Sequence, residues 1–264
     1  MALVGFSQSG AVGVITFDNP PLNLLSHPFF RDLDEAVDAA AAAPVRAVLV
    51  RTAGLHFGAG ADAADLFAGV RSDQARVHLS RWLGILRRLE GLPVPVVAEV
   101  RGMCVGGGFE VALHGDLIMA AETARFGHLE ARWGTATLLG GAQRVAERAG
   151  PARAAEMIFG AELYDARTMR EWGVVNRVVA DDELGEAAMA LARRLAAGPT
   201  SAHAMTKRLI RAYRSGGIGQ ADDLLLDLAS RIYDTADMQH GVKVLLDRGV
   251  EALQGQGHNG FVGR

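Results

Sequence analysis

Cysteine is nearly missing: among 264 residues there is one, Cys104. No disulfide framework can form, and a reducing compartment is the expected home. In its apolar surroundings this thiol reads as a small buried filler, not a nucleophile. No apolar run reaches the roughly 18 residues that a membrane span needs. The first ten residues, MALVGFSQSG, lack a basic segment followed by an apolar one. These absences give the expectation of a soluble, cytoplasmic, unprocessed protein with no membrane partner. An excess of one charge is also missing. Lys and Arg number 27 against 30 Asp and Glu, for a net charge of −3, and the basic residues are scattered. Without a basic stripe, nucleic acid is not an expected partner. What the chain does have is apolar residues, 50% of the total. That is enough to bury a substantial core as one domain, or as one domain with an appended segment.

The most informative stretch is Pro95 to Glu110, PVVAEVRGMCVGGGFE. Val96, Val97 and Val100 read as a buried strand that Gly102 breaks. A short apolar loop leads to Gly106, Gly107 and Gly108, and then FEVALH has helical spacing. Glycines at the mouth of a helix let another group approach the bare backbone, and the unpaired N–H groups of the first turn point outward as donors. Such a place can hold developing negative charge. Glu110 puts a carboxylate beside those donors.

Around this stretch the chain reads as follows. LVGFSQS (2–8) and AVGVITF (11–17) predict a hairpin turning at Ser9-Gly10. Ser26 and Pro28 start a helix with Phe29, Leu33, Val37 and Ala40 on one face. AVLV (47–50) is a second buried strand, and residues 72–90 form an amphipathic helix. A further strand follows at 116–120. Strands and helices recurring at roughly 40–50-residue spacing favour a spiralled α/β architecture. From Ala142 onward the pattern is helical: RVAERAG, then PARAAEMIFG, then a helix capped by Asp165. After the extended VVNRVV (174–179) come helices at 183–197, 202–214, 219–235 and 237–254, and a glycine-rich tail, 255–264, expected to fray. Gly58, Gly60 and Ala63 match a dinucleotide-binding spacing, but no second strand with an acidic end follows, so that reading is set aside.

FGAGAD (57–62), GMCVGGGFE (102–110), FGHLEARWGT (126–135) and GGAQR (140–144) together resemble the motifs of the enoyl-CoA hydratase/isomerase (crotonase) superfamily. The likeness continues through LYDARTMREWGVVNRVV (163–179) and FVGR (261–264). It implies an α/β fold: a crotonase-like spiral of ββα turns over residues 1–195 and a helical C-terminal region, 196–264, used for trimerisation. It implies an acyl-CoA thioester as partner, with coenzyme A carried on the substrate and no separate cofactor or metal, in a homotrimer or dimer of trimers. By motif position, the N–H groups of Ala61 and Gly107 are the oxyanion donors for the thioester oxygen. Gly58, Ala59, Gly60, Asp62 and His56 fall in the segment that meets the coenzyme. Glu110 and Glu130 take the places of the two glutamates that, in hydratases of this family, act as general base and acid on one water.

The expected reaction is therefore syn addition of water across a 2-enoyl-CoA, or its reverse. The alternatives are 3-enoyl to 2-enoyl isomerisation, decarboxylation or hydrolysis, and a scaffold that binds acyl-CoA without turnover. Each residue also has a structural reading. Glu110 complements a helix dipole, Glu130 pairs with Arg132, and Asp62 caps the following helix, which is the favoured reading for Asp62. His114, four residues after Glu110, reads as a core histidine for want of a third metal ligand. His56 and His128 are candidates to line the pocket, neither of them as a catalytic group. Lys207, Lys243 and Arg248 are candidates for coenzyme phosphates. The chain departs from the family pattern at Leu129 and Thr137, where proline is usual, and at Leu138, where glycine is usual. These changes bear on water placement and acyl-chain length, and they point to a specialised acyl group.

Overall fold

The computed structural model describes residues 2–253 and 260–264. β1 (Val4–Ser9) and β2 (Val12–Phe17) form the expected antiparallel hairpin, with Gly10 at φ +62° in its turn. Ser26 caps α1 (His27–Ala42) by accepting the N–H of Phe29, and Pro28 lies in the first turn, where its missing donor is not needed. β3 (Ala47–Thr52), the one-turn α2 (Ala63–Leu66) and α3 (Ser72–Glu90) follow. Two similar turns come next. The first is β4 (Val96–Val100), β5 (Met103–Val105) and α4 (Gly107–Leu113). The second is β6 (Leu117–Ala121), β7 (Arg125–Gly127), a 3-10 helix at Glu130–Trp133, and α5 (Gly141–Ala149). α6 (Pro151–Gly160), β8 (Tyr164–Asp165), α7 (Ala166–Glu171), β9 (Arg177–Val179) and α8 (Leu184–Ala196) complete the α/β part. α9 (Thr200–Ile232) and α10 (Ala236–Arg248) end it, before a 3-10 turn at Val250–Leu253.

The strands form a large sheet in the order β1-β2-β3-β4-β6-β9, parallel except at the hairpin, and a small sheet β5-β7-β8. In each of the two turns, therefore, the first strand lies in the large sheet and the second in the small one. The large sheet is buried on both faces, which is why β3 and β4 read as continuous apolar runs instead of alternating with polar residues. Val48, Val50, Val96, Ala98 and Val100 pack toward α1 and α3, whereas Ala47, Leu49 and Val97 pack toward α8. Period-two alternation within an apolar run thus serves two cores at once.

Three differences from the sequence reading have local causes. The apolar loop expected before Gly106 is strand β5, because it pairs in parallel with β7. The helices expected at 202–214 and 219–235 form one element, α9, broken by non-helical Gly216 and Gly217. The expected fraying tail falls partly on residues 255–259, outside the described residues. Residues 260–264, however, are pinned. The Asp237 carboxylate accepts the N–H groups of Val262 and Gly263 at 2.6 and 2.9 Å, and Arg46 donates to the carbonyl of Phe261 at 3.1 Å.

The loop after β3 is held against β5 and α4 chiefly through the backbone of Gly58. Gly58 donates to Met103 and accepts from Val105, at 3.0 and 2.9 Å, and forms a parallel bridge with Cys104. On the other side Gly108 meets it directly, and a Cβ on Gly108 would stand 2.4 Å from the Gly58 carbonyl oxygen. Gly108→Ala is therefore expected to force loop and helix apart. Overpacking of this kind costs about 1–3 kcal/mol, and in a chain of this size each kcal/mol lowers Tm by roughly 2–4 °C. Differential scanning calorimetry that finds an unchanged Tm would show that the contact does not constrain the fold.

Candidate active site

The contact between Gly58 and Gly108 brings two chain segments to one cavity of about 550 Å³, whose lining includes Ala59, Gly60, Ala61, Gly106, Gly107, Glu110 and Glu130. The donors at its mouth follow from backbone geometry. Leu25 bridges Ala61 in parallel, donating to the carbonyl of Gly60 at 2.9 Å and accepting from Asp62 at 2.8 Å. In a parallel pairing of this kind the peptide groups of the central residue, here Ala61, turn the other way. Gly106, at φ +52°, starts α4 and donates to Gly127, so Gly107 is the first residue whose N–H the helix leaves unpaired. Among the described residues no hydrogen bond takes up the N–H of Ala61 or of Gly107. The two segments touch: the Cβ position of Gly106 is 3.5 Å from the Cα of Gly60.

Glu110 lies in the first turn of α4 and is 2% exposed. Its Oε1 accepts the N–H of Leu139 at 2.7 Å and of Gly141 at 2.9 Å, both from the segment leading into α5. Burial raises its proton affinity above the ordinary 4.5, against the lowering effect of the Gly141 N–H, the His128 ring and the Leu139 N–H. Nearby Glu130 pushes it further in the same direction as burial. Glu130 opens the 3-10 helix after β7, is 8% exposed, and places Oε1 3.3 Å from His128 Nδ1. Its other oxygen, Oε2, is buried with no partner among the described residues. Two acids and two free amide donors thus share one apolar chamber, with Phe30, Phe67, Trp82 and Trp133 among its walls.

The other residues singled out in the sequence lie as follows. Ala59 and Gly60 line the cavity, while Gly58 is behind them in the bridge to Cys104. Asp62 is a helix cap: its Oδ1 accepts the N–H groups of Ala64 and Asp65 at 3.1 and 3.2 Å. His56 Nδ1 accepts the N–H of Met103 at 3.1 Å, and its carbonyl accepts from Asn23, so it fixes the turn before β5. Glu130 does not pair with Arg132, whose Nε donates to the carbonyl of Ala161 at 2.7 Å. His114 is a core residue, as expected. Its Nδ1 meets the carbonyl of Glu110 at 2.7 Å, and burial, reinforced by the Arg144 charge, lowers its pKa to about 4. Lys207 is not free for a coenzyme phosphate, since it donates to the carbonyl of Val94 at 2.8 Å and pairs with Asp116 at 2.7 Å. Cys104 is fully buried, and burial raises its pKa, as befits a filler. No cluster among the described residues could hold a metal ion. The sequence reading missed the two amides that hold Glu110 and the aromatic walls. The walls come from four separate elements, and no local pattern gathers them.

A large mixed sheet, a small second sheet and a cavity between their turns define the crotonase fold. The family model described as enoyl-CoA hydratase/isomerase matches residues 7–255. The chain is 29% identical over 249 residues to the short-chain-enoyl-CoA hydratase of Clostridium acetobutylicum, covering 91% of this chain and 93% of that one. It is 33% identical over 202 residues to a (7aS)-7a-methyl-1,5-dioxo-2,3,5,6,7,7a-hexahydro-1H-indene-carboxyl-CoA hydrolase of Mycobacterium tuberculosis, covering 76% and 80%. The crystal structure of an enoyl-CoA hydratase from Bacillus anthracis superposes with a TM-score of 0.89 at 25% identity, covering 99% of this chain and 100% of that one. The chain belongs to the enoyl-CoA hydratase/isomerase family.

The raised proton affinity of Glu110 has a consequence for stability. The folded chain holds its proton more tightly than the unfolded chain does, so this stabilisation is complete below about pH 4.5 and is lost as pH rises through the folded pKa. Gln at this position keeps an oxygen for the two N–H groups and carries no charge. Glu110→Gln is expected to raise Tm at pH 7, with the gain gone at pH 4, at roughly 2–4 °C per kcal/mol. Melting curves showing a lower Tm for the variant at pH 7 would refute a strained, ionised Glu110.

Proposed function

We propose that this chain is an acyl-CoA hydratase that adds water syn across the double bond of a 2-enoyl-CoA, or removes it in reverse. The observation carrying the proposal is that Glu110, Glu130 and the unpaired amides of Ala61 and Gly107 line one cavity. The thioester carbonyl accepts hydrogen bonds from the two amides. One glutamate takes a proton from water as the water oxygen bonds to the β-carbon, and the π electrons move to the thioester oxygen as an enolate. The other glutamate delivers a proton to the α-carbon as the enolate collapses. The base finishes protonated and the acid ionised, and exchange with solvent restores both. Preorganised amides in a water-poor chamber are worth about 2.7–4 kcal/mol each toward the enolate. The apolar walls strengthen their effect by lowering the local dielectric.

A second reading, hydrolytic action on a ring-bearing acyl-CoA, draws support from the likeness to the hydrolase named above and from the four aromatic walls. Products separate the outcomes: isomerisation leaves the mass unchanged, hydration adds one water across the double bond, and hydrolysis takes up one water while cleaving a bond of the substrate. The same proposal includes a homotrimer or dimer of trimers. Exposed Ile218, Leu226 and Leu246 on α9 and α10 support it, as apolar surface awaiting cover. It also includes a cytoplasmic site of action, consistent with the single buried thiol. Among the described residues no helix is long and apolar enough to cross a membrane.

The test is loss of conjugated-enoyl absorbance with crotonyl-CoA and longer or ring-bearing enoyl-CoAs. Glu110→Gln and Glu130→Gln are each expected to lower kcat by about 10²–10⁴-fold. Undiminished turnover in both variants would remove the mechanism.

A further inference from the structure

His128 is wholly buried, yet no step of the proposed reaction uses it. Its surroundings fix it closely. The ring stacks on Phe109 of α4, with centroids 5.0 Å apart and planes inclined by 28°. Nδ1 lies 3.3 Å from Oε1 of Glu130. In the tautomer that carries its hydrogen on Nδ1, the ring donates to this oxygen. The opposite edge, Cε1 and Nε2, lies against Gly141, where a Cβ would come within 2.5 and 2.7 Å of those atoms and 3.1 Å of the Cγ of Glu110. Gly141 is also one of the two residues whose N–H holds Glu110. The imidazole is therefore wedged between the supports of both acids. Nε2 is buried with no hydrogen-bond partner among the described residues.

We propose that His128 is the positioning residue of the acid pair: it anchors Glu130 through Nδ1–H and, braced on Phe109 and Gly141, ties the placement of Glu130 to that of Glu110. The reason is geometric. A glutamate reaches its working position through three rotatable bonds, and Oε2 of Glu130 has no partner among the described residues to fix it. The hydrogen bond to a ring that cannot move removes that freedom before substrate arrives. Proton delivery to one carbon and water attack on the next need both carboxylates placed on the same face. Misplacement by about 1 Å can cost about 10²-fold in rate. The ionisable groups around the ring are Glu130, in direct contact, and Glu110, across Gly141. The Nδ1 edge faces Glu130 alone, and the Cε1–Nε2 edge, on the Glu110 side, packs against Gly141.

This inference rests on the hydratase reading for its kinetic consequence but not for its structural one, so the test has two arms. His128→Phe keeps the stack and removes the donor, whereas His128→Gln restores an N–H near Glu130. In the kinetic arm His128→Phe is expected to lower kcat by about 10- to 100-fold with KM changed less than about 3-fold, and His128→Gln to recover most of the loss. In the Glu130→Gln background His128→Phe is expected to add little further loss. Equal losses in the two backgrounds, or a loss that Gln does not relieve, would overturn the proposal and leave His128 as packing. In the spectroscopic arm the side-chain carboxyl ¹³C resonance of Glu130, assigned by its disappearance in Glu130→Gln, is expected to move in His128→Phe and to return toward its original place in His128→Gln. A resonance indifferent to both variants would also overturn it. If the wild-type chain turns over no enoyl-CoA while the resonance moves as expected, the hydratase reading fails and the positioning role stands.

Discussion

The close approach of Gly58 to Gly108 is the constraint on which the site depends. It allows the segment after β3 to lie on the start of α4 with no side chain between them. The hydrogen bonds of Gly58 to Met103 and Val105 set the register of that approach, and β5 exists as a strand so that this ladder can continue into β7. From there each consequence is local. Gly60 and Ala61 emerge beside Gly106 and Gly107, Leu25 turns the peptide of Ala61 outward, and α4 leaves its first N–H groups unpaired. Neither donor belongs to a side chain. Their direction is therefore a property of the fold, and substitution at most neighbouring positions leaves it intact.

The second constraint is electrostatic. Glu110 is buried among apolar residues, and burial disfavours its charge more than the amides of Leu139 and Gly141 and the His128 ring favour it. A core chosen for stability alone would not place a carboxylate there, and chemistry accounts for its presence. A group that binds a proton more readily than a surface glutamate exchanges it more easily near neutral pH, which general acid–base catalysis requires. The amides prevent the carboxyl group from turning away from the chamber. His128 acts on Glu130 in the same sense, with a ring in place of backbone.

Much of this was legible in the sequence, and the rest was hidden for identifiable reasons. The buried parallel strands, the caps Ser26, Asp62 and Asp165, and the helical run after Gly141 depend on near neighbours, and spacing alone predicts them. The meeting of Ala61 with Gly107 is not local, since 46 residues separate them, and only the family resemblance pointed to it. β5 reads as a loop in the sequence because three apolar residues between glycines carry no period, and its identity comes from its partner β7. Lys207 looked like a free cation because its partners, the carbonyl of Val94 and the carboxylate of Asp116, lie about a hundred residues away in sequence. The surroundings of His128 are hidden in the sequence, since Phe109, Glu130 and Gly141 converge on it from three elements.

The departure at Leu138 shows how the same site is kept with a different segment. Where the family usually has glycine, this chain has a large side chain that lines the cavity and is 37% exposed. The left-handed turn before α5 is made at Gly140, at φ +97°, and does not need a glycine at position 138. That turn lets the N–H groups of Leu139 and Gly141 point together at Oε1 of Glu110, while Thr137 accepts the N–H of Ala142 at 3.2 Å and steadies the helix start. The glutamate is thus held without a glycine at position 138, and Leu138 forms part of the cavity wall. Trp133 and Phe67, ring centroids 5.3 Å apart, line the same cavity, so Leu138 adds to an apolar wall and leaves the acid in place.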